Sequence, residues 1–298
     1  MAISCYCSLW TGSRRVITLW IAVRTGGRVA IQGIILDVDG TVILASKVLD
    51  GASETLDILR NRGYKLVFCT QQNQDSDRKL SDRLNAAGLQ IYEQEIVSAG
   101  TVAVDYLAQN HRGSQVYVVG ADSIRDRLSL AGLKVLADRN GETAEVVLVA
   151  TDPDVNLTRL SVAAEAVRRG ADFYVTSLDR GEPMADRIIP GPGSLALAIA
   201  YTAGRRPVVL GKPSPAMVAA VRDRLQLPSS SIAVVGDQPA QDVRLGRFLG
   251  ATTVLVMSGV TTPEALERTS SSYRPDVILP GIKDVPAWLD LNKQKQPS

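Results

Sequence analysis

Histidine and cysteine are scarce in this sequence of 298 residues, which contains one histidine and three cysteines. The histidine, His111, stands in a segment that predicts a helix end followed by a turn. We interpret it as a solvated helix terminus rather than a metal ligand or catalytic base. Cys5, Cys7 and Cys69 are too few for a disulfide framework, and apolar neighbours predict a buried, reduced thiol at Cys69. The chemistry of this chain is therefore not histidine chemistry, and a reducing, cytoplasmic location fits it best.

The sequence also contains no apolar run close to the roughly 18 residues that a membrane-spanning helix needs, and no repeat of fixed period. Its 33 basic and 31 acidic side chains give a net charge of +2, which does not favour a nucleic acid partner. With 45% hydrophobic residues, the chain can bury a sizeable core as one large domain or as a domain with an insertion. We expect a soluble protein with no nucleic acid partner and no membrane partner.

Residues 1–28 differ in composition from the rest of the chain, because they contain no acidic residue but two of the three tryptophans. Arg14 and Arg15, followed by an apolar stretch, faintly resemble a twin-arginine export signal. That stretch is short, and no small-residue cleavage site follows it. We therefore interpret residues 1–28 as a poorly ordered N-terminal extension ahead of a core that begins near Val29.

From Val29 onward, short β-branched runs alternate with segments of helical period, which is typical of βαβ units and a parallel sheet. Apolar runs predict core strands covered by helices on both faces at Ile31–Leu36, Lys65–Cys69, Val208–Leu210 and Ile232–Val235. Helices are predicted over Ser53–Arg62 and Ser76–Ala87, each followed by a glycine suited to a left-handed cap.

A second set of alternating units lies between residues 90 and 180. Its predicted elements are helix Thr101–Asn110, strand Gln115–Val119, helix Ser123–Leu130, strand Glu145–Ala150, helix Asn156–Arg168 and strand Ala171–Thr176. This set falls between two strands that each end in a polar cluster. The simplest architecture is therefore a core domain of residues 29–89 and 181–298 that carries an inserted α/β cap domain of residues 90–180.

Two carboxylates follow the first predicted strand. The apolar run Ile34–Leu36 continues into Asp-Val-Asp-Gly-Thr, which places Asp37 and Asp39 at the carboxyl end of the strand. Gly40 permits a sharp turn that redirects the second carboxylate, and open parallel sheets bind ligands at this edge. Acids after a strand are also common in plain turns and helix caps, so this motif alone leaves both interpretations open.

Three further predicted strands also end in polar residues. Lys65–Cys69 is followed by Thr70 and Gln71, Val208–Leu210 by Gly211 and Lys212, and Ile232–Val235 by Gly236 and Asp237, with Asp242 farther on. A hydroxyl, an ammonium and carboxylates at one rim suit phosphoryl transfer, because a cation offsets the repulsion between carboxylate and phosphate. Oxygen ligands without a histidine or cysteine cluster favour Mg2+ over zinc. In this chemistry, Asp37 forms an aspartyl-phosphate, while Asp39 protonates the leaving oxygen and then deprotonates water.

The order Asp-x-Asp-Gly-Thr, strand-Thr, Gly-Lys-Pro and Gly-Asp-x-x-x-x-Asp resembles the four motifs of the haloacid dehalogenase superfamily, over Val29 to Leu291. The sequence is most similar to the NagD-like and 4-nitrophenylphosphatase subfamily, whose α/β cap is inserted between the second and third motifs. The resemblance implies an α/β fold with a Rossmann-like, doubly wound parallel sheet core and an inserted cap. It also implies a Mg2+-dependent phosphatase for a small phosphorylated metabolite. A homodimer formed through the cap domain is a further possibility.

The resemblance assigns roles to residues that match the motifs. The implied catalytic residues are Asp37, Asp39 and Lys212. The implied substrate-binding residues are Thr70, Gln71, Lys212 and Asp179. The implied Mg2+ ligands are Asp37, the backbone carbonyl of Asp39, Asp237 and Asp242. Taken alone, Lys212 would be interpreted as an ordinary surface lysine.

Three departures from the subfamily pattern concern Gln71, which replaces an asparagine, Gln241, which replaces a threonine, and Thr176–Asp179, which replaces Thr-Asn-Pro-Asp. None removes a charged catalytic group, so the departures affect substrate identity more than catalysis. Thr176–Asp179 could equally be an ordinary turn. Phosphoglycolate, glycerol phosphate, a sugar phosphate and a nucleotide stay open as substrates. A phosphotransferase and a catalytically weak phospho-ligand-binding protein also stay open, although retention of Asp37 and Asp39 disfavours the latter.

Overall fold

The computed structural model describes residues 30–45, 47–183 and 187–294, so the predicted extension, residues 1–28, lies outside the described residues. The described chain forms two compact units. The first comprises residues 30–69, 81–96 and 221–294, and the second comprises residues 70–80 and 97–220. Within the described ranges, no helix combines the length and apolar character needed to cross a membrane.

Strands and helices alternate along most of the chain, as the sequence predicts. The strands are β1 Gly33–Leu36, β2 Ile43–Leu44, β3 Lys47–Val48, β4 Lys65–Thr70, β5 Ile96–Ser98, β6 Gln115–Val119, β7 Lys134–Val135, β8 Val146–Val149, β9 Asp172–Val175, β10 Gly181–Pro183, β11 Ile188–Pro190, β12 Val208–Val209, β13 Ile232–Gly236, β14 Thr252–Val256 and β15 Val277–Leu279. The α-helices are α1 Ala52–Asn61, α2 Asp77–Ala86, α3 Ala99–Asn110, α4 Asp122–Leu130, α5 Leu157–Arg168, α6 Pro192–Ala203, α7 Pro215–Leu225, α8 Arg244–Leu249, α9 Pro263–Glu267 and α10 Val285–Gln294.

A six-stranded sheet has the spatial order β15-β14-β13-β1-β4-β5. The pairs of β13 with β1 and β14, of β1 with β4 and of β14 with β15 are all parallel. Counted in chain order, these strands have the 3-2-1-4-5-6 arrangement of a Rossmann-like doubly wound sheet. Strands β1 and β13 are buried along their whole length, as expected for apolar strands covered on both faces. The predicted core fold is therefore confirmed.

The second unit contains a five-stranded sheet with the order β12-β9-β8-β6-β7, and its strand pairs are parallel. Alternate side chains of these strands enter two different cores. On one face, Val147 and Phe173 pack with α5 and α6. On the other face, Val116 and Leu148 pack with α3 and α4. This unit is an α/β/α layer, in agreement with the predicted α/β character of the second set of elements.

The expectation that Val208–Leu210 lies in the same sheet as Ile34–Leu36 is wrong. Strand β12 instead pairs with β9, at the edge of the five-stranded sheet, and the second unit extends to residue 220 rather than ending near residue 180. An apolar run predicts a strand but does not identify the strand's neighbour. The side chain of Val208 is 53% exposed because β12 is an edge strand rather than a central one.

Several local predictions can be compared directly with the structure. Gly63 and Gly88 have φ angles of 78° and 99°, which confirms the left-handed glycines after α1 and α2. The thiol of Cys69 is buried, as predicted. His111 caps the carboxyl end of α3, but its side chain is only 15% exposed, so the prediction of a solvated ring is wrong. The ring instead packs edge-on against Tyr174, with Nε2 2.8 Å from the phenol oxygen.

Candidate active site

Three carboxylates lie together in the first unit. Asp37 follows β1, Asp237 follows β13, and Asp242 lies in a π-helical turn, Pro239–Val243, that leads into α8. One carboxylate oxygen of each lies within 4.8 Å of the others, and the three residues are 6%, 0% and 2% exposed. Buried carboxylates are rare unless they are paired or bind a metal ion. These residues are therefore the strongest candidates for a cation site among the described residues.

The position of Asp37 results from strand pairing and a tight turn. Its backbone N–H donates to the carbonyl of Val235 at 2.9 Å. This bond continues the pairing of β1 with β13 by one residue, as far as the main chain of Asp37. The hydroxyl of Thr41 donates to Oδ2 of Asp37 at 3.3 Å. At Gly40, φ is 86°, and a Cβ would lie 2.5 Å from Oδ2 of Asp237. Glycine is therefore required both for the turn and for the approach of the second carboxylate.

The loop after β14 also contacts this site. The backbone N–H of Val260 donates to Oδ2 of Asp237 at 2.7 Å, and the hydroxyl of Ser258 donates to the carbonyl of Gly40 at 2.8 Å. Gly259 has no room for a Cβ beside the Asp237 carboxylate. This loop is not among the predicted site residues, although Ser258 and Gly259 follow an apolar strand just as those residues do.

Asp242 is held by its own turn. The backbone N–H of Gln238 donates to Oδ2 of Asp242 at 2.9 Å, and the N–H of Asp242 donates to the carbonyl of Gln238 at 2.8 Å. The Asp242 carboxylate fills the space where a side chain at Gly236 would lie. Gln241, one of the departures from the subfamily pattern, lies in the same turn and is partly exposed. π-helical turns are frequent at functional sites.

Asp39 differs from the other acidic residues of the predicted site. Its side chain is exposed, and it is not part of the group formed by Asp37, Asp237 and Asp242. The main chain of Asp39 forms an isolated β-bridge with Ile43. The N–H of the next residue, Gly40, donates to the carbonyl of Ile43. The backbone carbonyl of Asp39 as a Mg2+ ligand, and its carboxylate as acid and base, both stay predictions.

Thr70, Gln71 and Lys212 belong to the second unit. The side-chain amide of Gln71 donates to the carbonyl of Lys212 at 3.1 Å, and the N–H of Lys212 donates to Oε1 of Gln71 at 2.9 Å. The hydroxyl of Thr70 accepts from the N–H of Gln72 at 3.2 Å. Lys212 is only 3% exposed, which excludes the ordinary surface lysine that its sequence position alone would suggest. The assignment of Thr70, Gln71 and Lys212 to phosphate binding stays a prediction.

The segment Thr176–Asp179 follows β9 and is fixed at several points. Thr176 and Ser177 are fully buried, whereas the side chain of Leu178 is 60% exposed. The carbonyl of Asp179 accepts from the N–H of Gly193 at 3.0 Å, where α6 begins. A Cβ at Gly193 would lie 2.5 Å from the main chain of Leu178, so a glycine is needed there. The segment thus exposes Leu178 from a loop that is hydrogen-bonded and closely packed against the start of α6. The substrate-binding role of Asp179 stays a prediction.

Comparisons with known proteins agree with the motifs. Residues 34–134 match the family described as haloacid dehalogenase-like hydrolase, and residues 209–285 match a family described as HAD-hydrolase-like. The acid sugar phosphatase of Staphylococcus haemolyticus is 29% identical over 264 residues, which cover 89% of this chain and 98% of that protein.

Solved structures share the fold, and two of them illustrate the similarity. The p-nitrophenyl phosphatase from Archaeoglobus fulgidus has a TM-score of 0.79 and 32% sequence identity, and the match covers 87% of this chain and 99% of that one. NagD from E. coli K-12 has a TM-score of 0.77 and 28% identity, over 86% of this chain and 98% of that one. The chain therefore belongs to the haloacid dehalogenase-like hydrolases, and within them it is a NagD-like phosphatase.

Proposed function

We propose that this phosphatase hydrolyses a small phosphomonoester with the help of Mg2+ and through an aspartyl-phosphate on Asp37. The observation that carries the proposal is the buried group of three carboxylates, Asp37, Asp237 and Asp242, within 4.8 Å of one another. Asp37 and Asp237 follow β1 and β13, the two strands between which the chain order of the sheet reverses. Ligands of doubly wound sheets bind in the crevice at this point.

The donor set fits a hard divalent cation. All three side chains offer oxygen, and the group contains no histidine or cysteine, which favours Mg2+ over a softer metal. Asp37, Asp237 and Asp242 would hold the ion, together with the backbone carbonyl of Asp39. When bound, Mg2+ supplies positive charge that offsets the repulsion between the substrate phosphate and the carboxylates.

The side chains account for both halves of the reaction. A carboxylate oxygen of Asp37 attacks phosphorus, the bond from phosphorus to the leaving oxygen breaks, and Asp39 gives its proton to that oxygen. Asp39 then takes a proton from water, whose oxygen attacks phosphorus, and the bond to Asp37 breaks to release inorganic phosphate. The exposure of Asp39 suits a group that must meet both the leaving group and water. The hydrogen bond from Thr41 fixes the orientation of the nucleophile.

The motif resemblance supports Thr70 and Lys212 as residues that bind the substrate phosphate. The ammonium of the buried Lys212 would attract a phosphate dianion more strongly than an exposed ammonium would, because less water screens the charge. For the leaving group, the similarity to the S. haemolyticus acid sugar phosphatase favours a sugar phosphate. Glycerol phosphate, phosphoglycolate and nucleotides are the competing substrates. Leu178 and Asp179, on the fixed loop after β9, are the proposed contacts for the part of the substrate that differs among these compounds.

The experiment is a phosphate-release assay of the purified full chain on these four substrate classes and on 4-nitrophenyl phosphate. Each substrate is tested with Mg2+, with EDTA, and with EDTA followed by excess Mg2+. We expect release only when Mg2+ is present, with a sugar phosphate preferred over the other metabolites. Activity that survives EDTA, or that zinc alone restores, would contradict the proposed cation site. A different preferred substrate would contradict only the substrate assignment.

A further inference from the structure

Gln71 contacts both main-chain groups of one residue. Its Nε2 donates to the carbonyl oxygen of Lys212 at 3.1 Å, and its Oε1 accepts from the N–H of Lys212 at 2.9 Å. The two residues are 141 positions apart in the sequence, so this is a long-range contact between two loops. A two-point contact of this kind fixes both the position and the rotation of the Lys212 main chain.

The surroundings of this contact are closely packed. A Cβ at Gly211 would meet both the carbonyl oxygen of Thr176 and Oε1 of Gln71, so the chain before Lys212 passes between them. Gln71 is held in turn by Asn73, whose Nδ2 donates to the Gln71 carbonyl at 3.2 Å.

Asn73 itself is anchored to the five-stranded sheet of the second unit. Its Oδ1 accepts from the N–H of Thr151 at 2.8 Å, just beyond the end of β8, and its side chain is only 2% exposed. The amide of Gln71 therefore belongs to a chain of hydrogen bonds that connects this sheet with Lys212.

The side chain of Lys212 depends on this main-chain geometry. The residue is 3% exposed, and a buried lysine has few rotamers with which to correct a displaced backbone. A catalytic geometry that is displaced by about 1 Å can reduce the rate by about two orders of magnitude. A residue that fixes the main chain of Lys212 would therefore affect the rate without touching the substrate.

We propose that Gln71 is a positioning residue whose side-chain amide orients Lys212 for the substrate phosphate, instead of binding the phosphate itself. This inference rests on the proposed function, because it requires that Lys212 acts in phosphoryl transfer. Both hydrogen-bonding groups of the Gln71 amide are directed at Lys212. An asparagine at this position is one methylene shorter and could not make both contacts unless the backbone moved.

A double-mutant cycle with 4-nitrophenyl phosphate tests the proposal. The variants are Gln71→Ala, Lys212→Ala and the double variant, with kcat and KM measured for each. We expect Gln71→Ala to lower kcat about tenfold, the loss expected for two hydrogen bonds, with a smaller change in KM. In the Lys212→Ala background, removal of Gln71 should cause no further loss of kcat, because a positioning residue has no effect without the residue that it positions.

Two further variants separate positioning from a general loss of structure. Gln72→Ala removes a side chain of the same size at the next position, where the buried Oε1 accepts no hydrogen bond from any described residue, and should keep the parent kcat. Gln71→Glu keeps an acceptor for the Lys212 N–H but loses the donor to its carbonyl. Its kcat should lie between those of the parent and Gln71→Ala, and its melting temperature should equal that of the parent. This variant replaces Gln71→Ala in the test if Gln71→Ala does not fold.

Three results would overturn the proposal. The first is a parent-like kcat for both Gln71 variants. The second is additive losses in the cycle, which would mean that Gln71 acts on the substrate independently of Lys212. The third is parent-like activity of Lys212→Ala, which would refute the catalytic role of Lys212 and, with it, the need for positioning. Because the first two leave the Lys212→Ala defect intact, failure of this inference can be distinguished from failure of the proposed function.

Discussion

Asp237→Asn should stabilise the protein when no divalent cation is present and abolish the stabilisation that Mg2+ provides. The carboxylate oxygens of Asp37, Asp237 and Asp242 lie within 4.8 Å of one another. At that distance, two negative charges repel by about 3.5 kcal/mol if the effective dielectric constant is about 20. Neutralising Asp237 removes two such pairs, so the gain before any offset is about 7 kcal/mol.

Part of this gain is offset. The N–H of Val260 donates to the Asp237 carboxylate, and a neutral amide accepts this bond more weakly, at a cost of about 1 kcal/mol. Solvent counter-ions and relaxation reduce the repulsion further, so we expect a net gain of about 2 kcal/mol, or a rise in Tm of roughly 4 °C. With Mg2+ at 100 times its Kd, the parent should gain about 2.7 kcal/mol, and the variant should gain little. Asp237→Asn should therefore melt above the parent without Mg2+, and below the parent with Mg2+.

Thermal unfolding followed by circular dichroism, in EDTA and in saturating Mg2+, measures both effects. Asp223→Asn is the matched control, because it makes the same change in net charge at an exposed position of α7. It should melt like the parent in either buffer. If Asp237→Asn melted below the parent in EDTA, or gained as much as the parent from Mg2+, the three carboxylates would not form a repulsive cation site.

Three further predictions concern single positions or segments. Asp37→Asn should abolish hydrolysis of 4-nitrophenyl phosphate with an unchanged fold, since an amide of the same shape is not a nucleophile; a near-parent rate would refute this role. Replacing Thr176–Asp179 by Thr-Asn-Pro-Asp should change the ranking of substrates more than the Mg2+ dependence. An unchanged ranking in a folded variant would favour the ordinary-turn interpretation. Asp152→Asn should lower the free energy of unfolding in urea by about 2 kcal/mol, because Arg159 would lose its 2.9 Å ion pair with the buried Asp152 carboxylate. An unchanged urea midpoint would show that this pair does not contribute to stability.

The parts of the site that could be predicted from the sequence depend on local pattern and sheet geometry. Asp37 and Asp237 each follow a continuous apolar run, and parallel strands bring their carboxyl ends to one edge whatever the sequence between them. The positive φ at Gly40 could be predicted because only glycine adopts it without strain in this turn. These features require only that β1 and β13 lie in one parallel sheet, as they do.

The features that could not be predicted depend on the choice of a distant partner. The sequence around β12 predicts a strand, but its pairing with β9 rather than with a strand of the first unit is decided by tertiary packing. The contact of Gln71 with Lys212 spans 141 residues, and no local pattern identifies it. His111 similarly appears solvated in the sequence because Tyr174, against which its ring packs, is distant along the chain.

The central claim is that Asp37 becomes covalently phosphorylated during turnover, and trapping of that intermediate tests it most directly. The full chain is mixed with a radiolabelled sugar phosphate and Mg2+, quenched with acid within the first turnover, digested, and analysed by mass spectrometry. We predict one phosphoryl group on the peptide that contains Asp37, sensitive to hydroxylamine as an acyl phosphate, and none in Asp37→Asn. A phosphoryl group on another residue, or no protein-bound label during demonstrated turnover, would contradict the account.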